Sequence, residues 1–154
     1  MSVVVVSRTL STELGEEVAY ELATDFQHYI ANPSLHYGDI FGRDKGFLYP
    51  EIVVKNGLRH VHMETPCVES YWQSNWDRQA AQAEYTSDKI LVYGRMDVSL
   101  YPYLLLTILD PKGHAQMSDM ERMKAVGEEY EEEVFAYSTR LPTQQWVTAR
   151  MKSS

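Results

Sequence analysis

The 154-residue chain has a single cysteine, Cys67. One thiol closes no internal disulfide, which fits a reducing, cytoplasmic setting. Long apolar runs are also missing. The longest, Tyr101 to Leu109, is interrupted by Pro102 and Thr107, and it falls well short of the ~20 residues a membrane-spanning helix needs. No membrane partner is expected. The N-terminal MSVVVVSRTL carries no positive charge ahead of its short apolar run, unlike a secretory signal. Basic side chains are outnumbered by acidic ones, 14 to 22, for a formal net charge of −8. Such an excess excludes a general nucleic-acid coat, which needs cations to neutralise phosphates. There is no low-complexity tract or internal repeat, and no P-loop, dinucleotide-binding glycine pattern, zinc-finger spacing or nucleophile elbow.

The missing positive charge is unevenly distributed. Residues 1–35 carry five acidic and one basic side chain, residues 36–116 ten and eight, and residues 117–154 seven and five. Five of the last acids crowd into Glu128, Glu129, Glu131, Glu132 and Glu133. The middle of the chain is therefore close to neutral. Exposed charges more than about 8–10 Å apart are largely screened at physiological salt, so a local anion site there survives the overall charge.

Periodicity outlines the elements. The β-branched run Val3 to Val6 reads as a strand. Leu14, Val18, Leu22 and Phe26 recur every four residues, so residues 12–30 read as one amphipathic helix capped by Ser11 or Thr12. Asn32-Pro33 ends it. Residues 33–56 are rich in Gly, Pro and aromatics and read as a long ordered loop with at most a short helical turn. Residues 58–64 alternate, with Leu58, His60, His62 and Glu64 on one face and Arg59, Val61 and Met63 on the other. Residues 89–96 and 103–109 read as two more strands, the second buried on both faces. Ser118 and Glu121 have capping-box spacing for a last helix. Its apolar stripe is Met120, Met123, Gly127, Tyr130, Val134 and Tyr137, with the five glutamates mainly toward water. The order implies an α+β fold, a small antiparallel sheet flanked by helices, covered on one face and open to a ligand on the other. A single domain over residues 1–137 is expected, followed by a C-terminal tail, 138–154, without clear period.

Four features carry chemistry. His60 and His62 stand on one strand face about 6–7 Å apart, from a rise of ~3.3 Å per residue. The pair fits a solvated strand surface, an acid–base or phosphate-contact role near neutral pH, or, less readily because three or four ligands are normally needed, a metal. In Asp39-Ile-Phe-Gly-Arg43-Asp44, Gly42 permits a turn and Arg43 offers a planar fork suited to phosphate. Alternatively, Arg43 pairs with Asp39 or Asp44 to hold the loop. His114 lies just before the last helix, within reach of an anion at its N-terminus, or is a solvated loop histidine. Trp72 and Trp76, one helical turn apart, suit base stacking or a core or partner anchor.

Taken together, Asp25-Phe26, Tyr29, Asp39-Ile40-Phe41-Gly42-Arg43-Asp44, Pro50, His60-Val61-His62, Leu91-Val92-Tyr93, Leu104-Leu105, Ile108-Leu109, Pro111, His114, Met123, Val126 and Gly127 resemble the YafO toxin family in order and spacing, over about residues 22–128. The resemblance implies a toxin of a bacterial type II toxin–antitoxin pair with a RelE/ParE-like fold. It also implies a ribosome-dependent endoribonuclease (mRNA interferase) that cuts translated mRNA without a metal or other cofactor. The implied partners are a cognate antitoxin, the ribosome and mRNA. His60 and His62 would be base and acid in either order. Arg43 would clamp the phosphate, and His114 would be a third acid or phosphate contact. Asp44, Lys89, Arg95 and Trp72 would contribute to substrate binding. The departure from such enzymes is the acidic last helix. It leaves a second expectation, a catalytically silent relative that binds a partner through those glutamates.

Overall fold

Four consecutive valines, Val3–Val6, form β1, and their alternation sends side chains to both faces of a sheet. Val4 and Val6 enter one core and Val3 and Val5 another. The computed structural model describes residues 3–32, 39–139 and 146–150. After β1 come α1 (Arg8–Leu14), α2 (Glu16–Ala31), β2 (Phe41–Gly46), α3 (Glu51–Lys55), β3 (Arg59–Met63), α4 (Glu69–Asp77), β4 (Ile90–Arg95), β5 (Tyr103–Leu109), α5 (Gly113–Ser118), α6 (Met120–Thr139) and β6 (Val147–Arg150). The strands form one sheet in the order β2-β3-β4-β5-β1-β6. All neighbours are antiparallel except β1 and β5, which run parallel. The α+β class expected from the element order is what the chain adopts. Among the described residues, no helix is long and apolar enough to cross a membrane.

Several sequence expectations change. The sheet is covered on both faces, because β1, β4 and β5 carry apolar side chains on both. Leu91, Tyr93 and Leu105 pack toward α1 and α2, whereas Val92, Leu104 and Leu106 pack with α3 and α6. The single helix expected over 12–30 is two. Gly15, at φ 85°, breaks the chain between α1 and α2, a conformation glycine adopts without a Cβ clash. The true cap of α1 is Ser7, whose Oγ accepts from Leu10 N–H at 3.1 Å and donates to Leu106 O at 2.7 Å. The buried stripe of α2 is Ala19, Leu22, Ala23, Phe26 and Tyr29, and Val18 is exposed.

The stretch read as a long loop contains β2 and α3. Its first residues, 33–38, lie outside the described residues. The capping box at Ser118 is displaced by one residue. Ser118 ends α5, and Asp119 Oδ1 accepts from Glu121 and Arg122 N–H at the start of α6. The tail contributes β6, which pairs with β1, while residues 140–145 and 151–154 lie outside the described residues.

The glutamates of α6 divide. Glu128, Glu131 and Glu132 are exposed, but Glu133 is only 3% exposed. Its two oxygens take Arg8 N–H at 2.8 Å and Arg8 Nε at 2.9 Å. It therefore anchors the first turn of α1 to α6, a charge-assisted pairing that satisfies one of the free N–H groups of a helix start. The five glutamates thus lie mainly toward water, as expected, with Glu133 the departure.

Candidate functional site

Leu58, just before β3, packs into the α3/α6 core, and the alternation of the strand sends His60 and His62 to the same face. The Phe47 ring lies 4.7 Å from the His60 ring, His62 lies 6.0 Å from His60, and His114 lies 5.3 Å from His62. His114 is the second residue of the short helix α5. A cavity of about 360 Å³ opens between the β2–β3 hairpin, the segment leaving β2, and α5, and all three histidines line it together with Arg43 and Lys45.

A bulge in β2 brings Arg43 there. Phe41 pairs with Met63, and the next aligned pair is Asp44 with Val61, so three steps on β2 oppose two on β3. The extra residue breaks the alternation. Phe41 and Asp44 both face α2, and Arg43 and Lys45 face the cavity. Gly42 allows this because Tyr85 crosses directly over it: a Cβ at Gly42 would overlap Tyr85 O and meet Tyr85 Cβ at 2.7 Å and Trp72 at 2.8 Å. Arg43 N–H donates to Tyr85 O at 2.9 Å, and Gln82 Nε2 donates to Gly42 O at 2.8 Å.

The predicted partner of Arg43 is taken by another residue. Asp44 accepts from Arg59 Nε at 3.1 Å, from Tyr29 OH at 2.7 Å and from Tyr93 OH at 2.7 Å. The Arg43 guanidinium makes no hydrogen bond or ion pair among the described residues. His62 Nδ1 accepts the Ser87 backbone N–H at 2.8 Å. Asp88 Oδ1 lies 2.8 Å from both the backbone N and Nδ1 of His114. His60 Nδ1 is buried with no partner among the described residues.

Electrostatics keep two of the rings neutral. Burial, then the adjacent His62, pushes His60 down to about 4. Burial, then His114, pushes His62 down to about 4. Burial disfavours the charged form, and like charges add to it. The hydrogen bonds from the His114 backbone and ring hold Asp88 below the ordinary carboxylate range.

A pH prediction follows. In the folded protein both rings stay neutral down to about pH 4, whereas histidines of an unfolded chain take up protons below about 6.5. Between these values the unfolded state binds more protons, so stability falls as the pH is lowered. Each ring contributes a slope of at most about 1.4 kcal/mol per pH unit. Urea midpoints from pH 7.5 to 4.5 should fall more steeply for the wild type than for a His60→Gln/His62→Gln double variant. Parallel curves would show that burial does not hold the rings neutral.

The structure thus assembles Arg43, His60, His62 and His114, which are dispersed over 72 positions of sequence. The other candidates lie elsewhere. The Asp44 carboxylate points through the sheet to Tyr29 and Tyr93. Arg95 is on the α2 face, stacked 5.0 Å over the Tyr103 ring and donating to Tyr101 O. Trp72 is 1% exposed in a small core with Ala80 and Tyr85, its Nε1 donating to Thr86 O at 2.9 Å, and offers no face to a base. Lys89 does not line the cavity. Sequence reasoning missed Lys45, Phe47, Tyr49, Ser87 and Asp88. Lys45 and Phe47 had a signal, since they flank Gly46 where the strand hidden in the loop ends. Ser87 and Asp88 had none, because their roles depend on contacts with β3 and α5. Among the described residues, no three His, Cys, Asp or Glu side chains are grouped to hold a metal ion.

No curated protein and no solved structure matches the chain. A family model described as toxin YafO, type II toxin–antitoxin system, matches residues 19–136. That span runs from α2 into α6 and includes every residue lining the histidine cavity, and type II membership implies a cognate antitoxin as partner. On this evidence the chain belongs to the YafO toxin family of type II toxin–antitoxin systems.

Proposed function

We propose that this toxin is a ribosome-dependent endoribonuclease that cuts mRNA during translation in the cytoplasm and so arrests growth. The observation that supports this reading is the convergence of three imidazoles and a guanidinium without a partner among the described residues in one open cavity. RNA brings its own nucleophile, the 2′-hydroxyl. Cleavage needs a group to take its proton, cations to stabilise the crowded phosphate, and a proton for the departing 5′-oxygen. His60, His62 and His114 are suited to the proton work, and Arg43 to clamping the phosphate through its planar fork. None of these steps calls for a metal. With a net charge of −8, the protein cannot gather free RNA by bulk attraction. The ribosome is the natural agent to present the strand.

Controlled expression with and without the cognate antitoxin, read as growth and as mapped mRNA 5′ ends, tests the proposal. New ends and arrest are expected for the wild type. His60→Ala and His62→Ala should each lower cleavage by roughly 10²–10⁴-fold, the size expected when a proton-transfer group or a hydrogen-bond donor to the transition-state phosphate is removed. Full toxicity of both variants at normal protein levels would overturn the assignment. A second reading, a silent binding protein, is favoured by the exposed Glu128, Glu131 and Glu132 beside exposed Phe135 on α6. It predicts the opposite pattern: loss of effect on changing those glutamates to glutamine, and none on changing the histidines.

A further inference from the structure

Two histidines of the cavity are hydrogen-bonded to adjacent residues of opposite character. Ser87 presents a backbone N–H to His62 Nδ1 at 2.8 Å, and Asp88 presents a carboxylate oxygen to His114 Nδ1 at 2.8 Å. A backbone N–H can only donate, so His62 Nδ1 must be bare and its proton must sit on Nε2. An ionised carboxylate can only accept, so His114 Nδ1 must carry a proton, which in the neutral ring leaves Nε2 bare. Neither Nε2 has a hydrogen-bond partner among the described residues, and both rings line the cavity.

The anchoring segment is itself held. Ser87 Oγ donates to Met63 O at 2.6 Å, and Gly113 N–H donates to Asp88 O at 2.9 Å. A Cβ at Gly113 would approach Asp88 O to 2.7 Å, so glycine is what lets α5 start this close to Asp88. The Asp88 side chain also accepts the His114 backbone N–H, which fixes the carboxylate as well as the ring.

We propose that Ser87 and Asp88 lock His62 and His114 in opposite tautomers, so that the cavity presents an N–H donor and a bare nitrogen side by side to a ribose hydroxyl and its adjacent phosphate. His114 is then the base and His62 is a fixed neutral donor to a phosphoryl oxygen. Asp88 is a positioning residue, which orients His114 and stabilises its cationic form as a carboxylate does in a catalytic triad. This division of roles rests on the ribonuclease reading, whereas the tautomers do not. In the reaction, His114 Nε2 takes the 2′-hydroxyl proton and the O2′–P bond forms. The P–O5′ bond breaks with its electron pair on the 5′-oxygen. The proton passes from His114 through water to that oxygen, leaving a 2′,3′-cyclic phosphate and a 5′-hydroxyl. His62 transfers no proton, because protonating its Nδ1 would set two N–H groups against each other.

Long-range proton–nitrogen correlation spectra of the full chain, labelled with ¹⁵N, at pH 7.5 provide a test independent of activity. The expected result is protonated Nε2 and bare Nδ1 for His62, and the reverse for His114. The same tautomer in both rings, or an averaged signal in either, overturns the proposal. In Asp88→Ala, His114 should lose its single tautomer while His62 keeps its own. Ribosome-coupled cleavage by that variant should fall by roughly 10²-fold. An unchanged rate would remove His114 from the base role. Locked tautomers with no cleavage by the wild type would overturn the ribonuclease reading and leave the tautomer assignment standing.

Discussion

Asp44→Ala is expected to lower the stability of the protein by about 3–5 kcal/mol, seen as a lower urea midpoint at unchanged slope. The Asp44 side chain is only 13% exposed and accepts hydrogen bonds from Tyr29, Tyr93 and Arg59 at once. Both tyrosines are buried. Burial, then the charge of Asp44, pushes both hydroxyls well above their ordinary range, so they remain donors at any pH the fold survives. Removing the carboxylate strands two buried O–H groups and leaves Arg59 without its ion pair. Each stranded donor costs about 1–3 kcal/mol. Asp44→Asn keeps one carbonyl oxygen as acceptor and should lose about half as much. The midpoint is the discriminating measurement. If Asp44→Ala unfolds at the wild-type midpoint, the carboxylate is not what ties β2 to α2, and a substrate contact, as the sequence suggested, becomes the better account.

Gly42→Ala should be comparably severe, with a loss of about 3 kcal/mol or more. The added methyl would overlap the Tyr85 carbonyl and press on Tyr85 Cβ and Trp72. Two of the three obstacles are backbone or Cβ atoms, which cannot swing aside, so the usual overpacking cost of about 1–3 kcal/mol is a lower range here. The effect should extend to function. Relief of the clash requires β2 and the Tyr85 segment to part, which breaks the Arg43 N–H to Tyr85 O bond and releases the bulge that turns Arg43 into the cavity. Gly46→Ala is the control. It lies on the same strand, and the nearest atom to its added methyl is Arg59 Nη1 at 3.8 Å, so its midpoint should stay within about 0.5 kcal/mol of wild type. Equal midpoints for Gly42→Ala and Gly46→Ala would show that the Tyr85 crossing does not constrain β2.

Both predictions concern the segment where sequence reading was least informative. The strand Phe41–Gly46 reads as loop because its pattern, Phe-Gly-Arg-Asp-Lys-Gly, has no period of two. The bulge removes that period: Phe41 and Asp44 share a face three residues apart. The same irregularity decides which polar residue is structural and which faces the cavity. Arg43 and Asp44 are neighbours of opposite charge in the sequence, so a local pair was a natural expectation. A strand sends neighbours to opposite faces, and Arg59 reaches Asp44 from across the hairpin. The strands β3, β4 and β5 were legible because their alternation is intact and their faces differ in polarity. The covering of both sheet faces was also legible in principle, since Val3–Val6 and Tyr103–Leu109 are apolar on both sides.

What the sequence determined by itself is the class of the fold, the pairing of His60 with His62 on one strand face, and the family, because these depend on local period and on motifs read in order. Tertiary structure alone decided that His114 closes the cavity, that the Arg43 side chain faces the cavity while Asp44 is fully engaged, that Trp72 and Glu133 are buried, and that Ser87 and Asp88 hold the histidine rings. Each of these is a contact between residues from different elements. Its energy depends on burial and on the direction of a few hydrogen bonds, quantities that no spacing along the chain encodes.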